Sequence, residues 1–254
     1  MHTDTVGWPI RIVGLARSCV VAGIVLFVVV FAGCTSAPTR HYRTGNERLY
    51  AGKFDAAVRS YTAALEEDPD LAQAHEKRGL ARFMQGDSEG AVEDYTRALE
   101  VEPKFARVHN NRGFVHLKAG RTEAAIDDFT RAIELRPDYA QALNNRAAAH
   151  LVLGERQRAH SDFERSYRAR PTFAAAMYFG NRAAARGEDE TALRRYSEAL
   201  ELNPSSAAAH RARSEIHRKL GNPEDSWQDF QRYLELNPEA ERRMQRHLTG
   251  AGIE

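Results

Sequence analysis

The sequence predicts an all-α protein, a solenoid of about six helix-turn-helix units followed by a short C-terminal capping helix. Three columns of residues carry that prediction. Prolines recur at Pro69, Pro103, Pro137, Pro171, Pro204 and Pro238, spaced by 34 residues with one interval of 33. Seventeen residues before each stands a glycine, at Gly52, Gly86, Gly120, Gly154, Gly187 and Gly221. Eight before each stands an aromatic, at Tyr61, Tyr95, Phe129, Phe163, Tyr196 and Phe230. A period of this length marks a repeat array, in which each unit is too small to bury its own apolar face and must stack on its neighbours. With 254 residues, 43% of them hydrophobic, and a formal net charge of +1, the chain can bury a core and carries no basic nucleic-acid arm.

The first element is a leader, residues 1–33. Arg11 and Arg17 precede the uncharged run SCVVAGIVLFVVVFAG, Ser18 to Gly33. Sixteen residues at about 1.5 Å each fall short of the roughly 30 Å of a hydrocarbon core, so the run reads as an export signal before a membrane span. Phe31-Ala32-Gly33-Cys34 then resembles the lipobox of bacterial lipoproteins, with Phe31 where that family usually has Leu. The resemblance implies cleavage before Cys34, acylation of its thiol and, because Thr35 is not Asp, delivery to the outer membrane, facing the periplasm. An ordinary thiol beside a general signal-peptidase site after Ala32 is the alternative. Cleavage would remove Cys19, so no unpaired thiol would remain to misoxidise. Residues 34–37 form the tether, and the five residues from Cys34 to Pro38 reach roughly 17 Å, keeping the first unit close to a bilayer.

Six units follow, approximately 38–71, 72–105, 106–139, 140–172, 173–206 and 207–240. Within each, the glycine ends the first helix, where a left-handed residue is least costly, and the proline stops the second. Small residues lie where backbones must approach: Gly45, Gly79, Gly113, Ala147, Gly180 and Ser214 in the first helix, and Ala57, Ala91, Ala125, Ala159, Ala192 and Ser226 in the second. A further column, Ala64, Ala98, Ala132, Ser166 and Ala199, is interrupted by Tyr233 in the sixth copy. Alanine, aromatic and alanine at spacings of four and three define one helix face. Residues 239–254 form a capping helix and tail, with Met244 and Leu248 four apart to cover the last unit.

These columns resemble the tetratricopeptide repeat (TPR), from Pro38 to about Glu239. The bulky aromatic that the family places early in the first helix is replaced here by His41, His75, His109 and His210. The resemblance implies a concave face, made by the first helices, that binds extended or helical peptides. The matching positions are Tyr42, Asn46, Lys77, Arg107, Asn110, Asn111, Asn144, Asn145, Tyr178 and Asn181. Asparagine donates and accepts at once, which suits a bound main chain, although Asn110-Asn111 and Asn144-Asn145 can equally occupy a solvated face. The full two-carboxylate clamp of chaperone-binding members is absent, since Tyr42 stands where it needs Lys.

A comparison among the copies yields one further expectation. Where the first helix has Arg78, Arg112, Arg146 or Arg213, the second has Asp94, Asp128, Asp162 or Asp229; the two copies lacking the arginine have Thr44 with Ser60 and Phe179 with Arg195. This predicts a partly buried Arg–Asp ion pair bridging the helices of a unit.

Catalytic and metal chemistry find little support. His109 and His116, like His210 and His217, are seven apart, about 10.5 Å along a helix, and make no close ligand pair. Gly86-Asp87-Ser88-Glu89-Gly90 matches the hydrolase nucleophile elbow by pattern, but a helix precedes it where that motif needs a strand, so Asp87 or Ser88 is read as a helix cap. No enzyme, cofactor, metal or nucleic acid is therefore expected. The partners expected are peptide segments of envelope proteins and, through Cys34, the bilayer. A regulatory subunit or lid of an envelope enzyme such as a peptidoglycan hydrolase, and an inner-membrane-anchored assembly factor, remain as alternatives.

Overall fold

The computed structural model of the chain describes residues 37–250. The leader, Cys19 and Cys34 lie outside them. Among the described residues thirteen helices follow one another, and the first twelve form six hairpins. They are α1 (Ala37–Tyr50) with α2 (Phe54–Glu67), α3 (Ala72–Met84) with α4 (Ser88–Val101), α5 (Ala106–Lys118) with α6 (Thr122–Leu135), α7 (Ala140–Val152) with α8 (Arg156–Ala169), α9 (Phe173–Ala185) with α10 (Asp189–Leu202), and α11 (Ala207–Lys219) with α12 (Pro223–Leu236); α13 (Pro238–Gly250) closes the array. Among the described residues no helix is long and apolar enough to cross a membrane.

Each glycine of the first column turns the chain with a positive φ, from +69° at Gly52 to +89° at Gly86. After Gly120, for example, the Arg121 N–H returns to the His116 carbonyl at 2.9 Å, satisfying a helix end that would otherwise lack a donor. Asp87 caps α4, its carboxylate accepting from the Gly90 N–H at 2.9 Å.

The small columns of the two helices set how closely the helices of a hairpin approach. A Cβ on Gly113 would lie 2.8 Å from the Phe129 ring and 3.1 Å from the Ala125 carbonyl. Ala57, Ala91, Ala125, Ala159 and Ala192 are wholly buried, as are Tyr61, Tyr95 and Phe129 beside them. Phe230, with no seventh unit stacked on it, is only half-buried. Helix α13 packs on α12 and half-buries Met244, yet Trp227 stays 55% exposed. The side chain of Leu248 is not among those described.

First helices touch one another in series, α1 with α3, α3 with α5 and α5 with α7, so they line one face while the second helices lie outside. That series weakens after α7. The connection from α8 to α9 has three residues, 170–172, where the other connections between units have four, and this is the interval of 33 in the proline column. Helices α8 and α9 meet over a narrower contact than the corresponding helices at the other four joints.

Candidate binding face

The four Arg–Asp pairs anticipated from the copies meet across their hairpins. Arg112 donates from Nε and Nη2 to the two Asp128 oxygens at 2.9 and 2.8 Å, and Arg146 does the same to Asp162 at 2.7 and 2.8 Å. Arg78 and Asp94 approach to 2.7 Å, and Arg213 and Asp229 to 2.6 Å. All four aspartates are buried. The remaining guanidinium nitrogen reaches back into the preceding unit: Arg78 to Thr62, Arg112 to Thr96, Arg146 to Thr130 and Arg213 to Ser197, at 2.9–3.2 Å. Each rung thus ties a unit together and staples it to its predecessor. Those hydroxyls form a column seven residues before the proline, which was legible in the sequence and was missed.

Histidines complete three rungs. His109 sits between Asp128, 3.3 Å from Nδ1, and the Pro103 carbonyl, 3.1 Å from Nε2; His210 sits likewise between Asp229 and the Pro204 carbonyl. Each ring thus lies between a carboxylate of the rung and the carbonyl that precedes its helix. His75 bonds the Pro69 carbonyl and lies 3.6 Å from Asp94. Burial pushes the carboxyl of Asp128 up, but hydrogen bonds from His109 and Arg112 and the charge of Arg112 outweigh it and hold the group below the usual carboxylate range. Asp94, facing His75, Arg78 and Arg82, and Asp229, facing Arg213 and His210, are lowered in the same way against the same burial. In the first unit, which lacks the pair, Arg48 donates to Ser60 at 2.6 Å instead.

The ten positions expected to face a ligand are largely engaged with one another or with the core. Asn46 and Asn181 accept the hydroxyl protons of Tyr61 and Tyr196, each at 2.8 Å. Asn110 corrects the sequence expectation most clearly. It is 1% exposed and bonded to Asn145 at 3.0 Å, with Asn111 at 3.4 Å, so it is a structural amide and not a free contact. Asn144 donates to Thr172, the residue that caps α9, and Tyr178 stacks on Phe163 with ring centroids 4.3 Å apart. Tyr42 tilts against Tyr61 at 5.9 Å. Lys77 and Arg107 both approach Glu76, at 3.9 and 2.7 Å, a carboxylate that is itself buried and was not singled out from the sequence.

Open space on this face collects at its C-terminal end. A hollow of about 780 Å³ between α9, α11 and α12 is lined by Met177, Asn181, Arg211, Glu215, Phe230, Tyr233 and Asn237, among others. Tyr233 is the residue that interrupts the alanine column, and its ring lies 5.9 Å from the Arg211 guanidinium. Aromatic surface beside one cation, one carboxylate and two amides suits a polypeptide segment with mixed side chains. Among the described residues no group of three or more His, Cys, Asp or Glu side chains is gathered so as to hold a metal.

Stacked helical hairpins with an inner face of this kind define the class of helical-repeat proteins. Within it the chain belongs to the tetratricopeptide repeat family: models described as tetratricopeptide repeat match residues 42–107 and 106–139, and one described as TPR repeat matches residues 180–222. No curated protein matches the chain. Solved structures share the fold. PilF of Pseudomonas aeruginosa superposes with a TM-score of 0.72 at 21% identity, covering 80% of this chain and 93% of its own. PilW, described as a widely conserved type IV pilus biogenesis factor, gives 0.66 at 19%, covering 81% and 96%. YrrB, described as a TPR protein with an unusual peptide-binding site, gives 0.51 at 19%, covering 70% and 93%.

Proposed function

We propose that the protein is a non-enzymatic scaffold, anchored through an acylated Cys34 in a bacterial outer membrane and facing the periplasm, which binds peptide segments of envelope proteins as an adaptor or assembly factor. The observation that carries the binding half is the hollow at the C-terminal end of the inner face, where Arg211, Phe230 and Tyr233 border open space while most of the polar side chains toward the other end are occupied. The name of PilW, a biogenesis factor, and that of YrrB, with its peptide-binding site, are in keeping with such a role. The anchoring half rests on the sequence from Phe31 to Cys34 and on the short reach from Cys34 to α1, which begins at Ala37.

A photocrosslinking side chain placed at Arg211 in intact cells captures a discrete envelope protein, whereas one at Arg59, exposed on a second helix, does not. Equal capture from both positions defeats the inner-face reading. Globomycin, or Cys34→Ala, leaves an unprocessed precursor in the membrane fraction; unchanged processing defeats the lipid anchor without touching the binding claim.

A further inference from the structure

The joint between the fourth and fifth units departs from the ladder at every position at once. Phe179 stands in the arginine column, Arg195 in the aspartate column, Glu164 in the hydroxyl column of the preceding unit, and Ala183 where the other five copies have Arg48, Arg82, His116, His150 and His217. Loss of a single rung would leave stranded charges. The concerted exchange leaves a different site.

In place of the rung there is a cleft of about 370 Å³ between α8, α9 and α10, on the side where second helices lie and therefore away from the inner face. Tyr167 and Phe179 form its apolar wall, edge to face with centroids 5.8 Å apart. Arg168, Arg182, Arg186 and Arg195 border it. Three of these guanidiniums have carboxylates of their own: Arg168 meets Glu164 at 2.5 Å, Arg195 meets Glu198 at 3.0 Å, and Arg186 lies 3.7 Å from Glu188. Arg182 is half-buried and has no such partner among the described residues. Beside it the His160 ring, packed on Phe179 at 5.7 Å, keeps its Nδ1 buried without a hydrogen-bond partner.

The charge balance identifies the ligand class. Four guanidiniums against Glu164, Glu188 and Glu198 leave one uncompensated positive charge, which matches a monoanionic carboxylate and not a phosphate dianion. A half-buried guanidinium is a planar fork that binds a carboxylate through two parallel hydrogen bonds, and an aromatic wall takes an apolar side chain next to it. We propose that this cleft is a second, outer-face docking site for a partner polypeptide bearing an acidic residue beside a large apolar one, the carboxylate on Arg182 and the apolar side chain against Phe179. The site is independent of the inner-face reading, since no residue is shared with it.

Displaying a random heptapeptide library against the full chain tests this. Enriched peptides carry Asp or Glu next to a large apolar residue, and synthetic copies lose affinity by about tenfold or more when Arg182→Gln is introduced or when their acid is changed to its amide. Arg211→Gln leaves those affinities unchanged, and excess inorganic phosphate does not displace the peptides. Arg182→Gln alters one half-exposed helical side chain, and an unshifted melting temperature verifies that the fold is kept. Enrichment that is equal on Arg182→Gln, hits whose acid is dispensable, displacement by phosphate, or loss only on Arg211→Gln each overturns the outer site; the last outcome would leave the inner-face reading intact.

Discussion

Arg112 and Asp128 are the pair on which the ladder is most directly tested. Asp128 accepts from both Arg112 and His109, and its side chain is only 7% exposed, so removing it strands two donors in a desolvated setting. Asp128→Ala is expected to cost about 3–5 kcal/mol, whereas replacing both residues with leucine costs less, because no uncompensated charge is left behind. Additive losses in a urea-unfolding double-mutant cycle would show that the two do not act as a pair. The sign of the pH dependence follows from the lowered pKa values of Asp94, Asp128 and Asp229. Their stabilisation is complete above the unfolded-state value of about 3.9 and is lost as pH falls through the lower folded-state values. Melting temperature is therefore expected to drop steeply only below about pH 4, and Asp128→Asn to flatten that acid limb; a profile equally steep in the variant would contradict the assignment.

Two glycines of one hairpin show how different constraints shape an element. At Gly113, on α5, the constraint is space, since an added methyl would press on the Phe129 ring and the Ala125 carbonyl. Gly113→Ala is expected to lose about 1–3 kcal/mol by forcing α5 and α6 apart. At Gly120 nothing lies within 4 Å of an added Cβ, but φ is +75°, so Gly120→Ala loses about 1–2 kcal/mol through backbone strain alone. Because only the first substitution moves a neighbour, near-ultraviolet circular dichroism from the packed aromatics should change for Gly113→Ala and stay the same for Gly120→Ala. Matching spectra would mean that α5 and α6 have room to spare.

Across the molecule, the arginine staples of the ladder link units at three of the first four joints and again between the fifth and sixth, whereas across the joint of α8 and α9 the link is of another kind, Arg195 donating to the Tyr167 hydroxyl, which itself donates to Glu198. A joint with a shortened connection and a narrow contact opens at lower free energy than its neighbours. Amides of α9 are thus expected to exchange with deuterium faster than those of α5. Rebuilding the rung with Glu164→Thr, Phe179→Arg and Arg195→Asp together should slow them, and exchange that is uniform along the array, or unchanged by the rebuild, would refute a weak joint.

Repeat period, hairpin boundaries, glycine turns, the small-residue contacts and even the partners Arg112 and Asp128 could be read from the chain itself. Each is written several times over, and stacking identical units makes every copy face the same neighbours. What the sequence could not decide was the state of individual side chains on the inner face. Whether Asn46 is free depends on Tyr61, fifteen residues away, and whether Asn110 is exposed depends on Asn145, in the next unit. The outer cleft was equally hidden, although Phe179 and Arg195 stood out as exceptions, because it exists only where α8, α9 and α10 converge. Periodic residues set local geometry and so announce themselves along the chain; a site assembled from exceptions on three helices acquires its shape and charge balance only once those helices are packed.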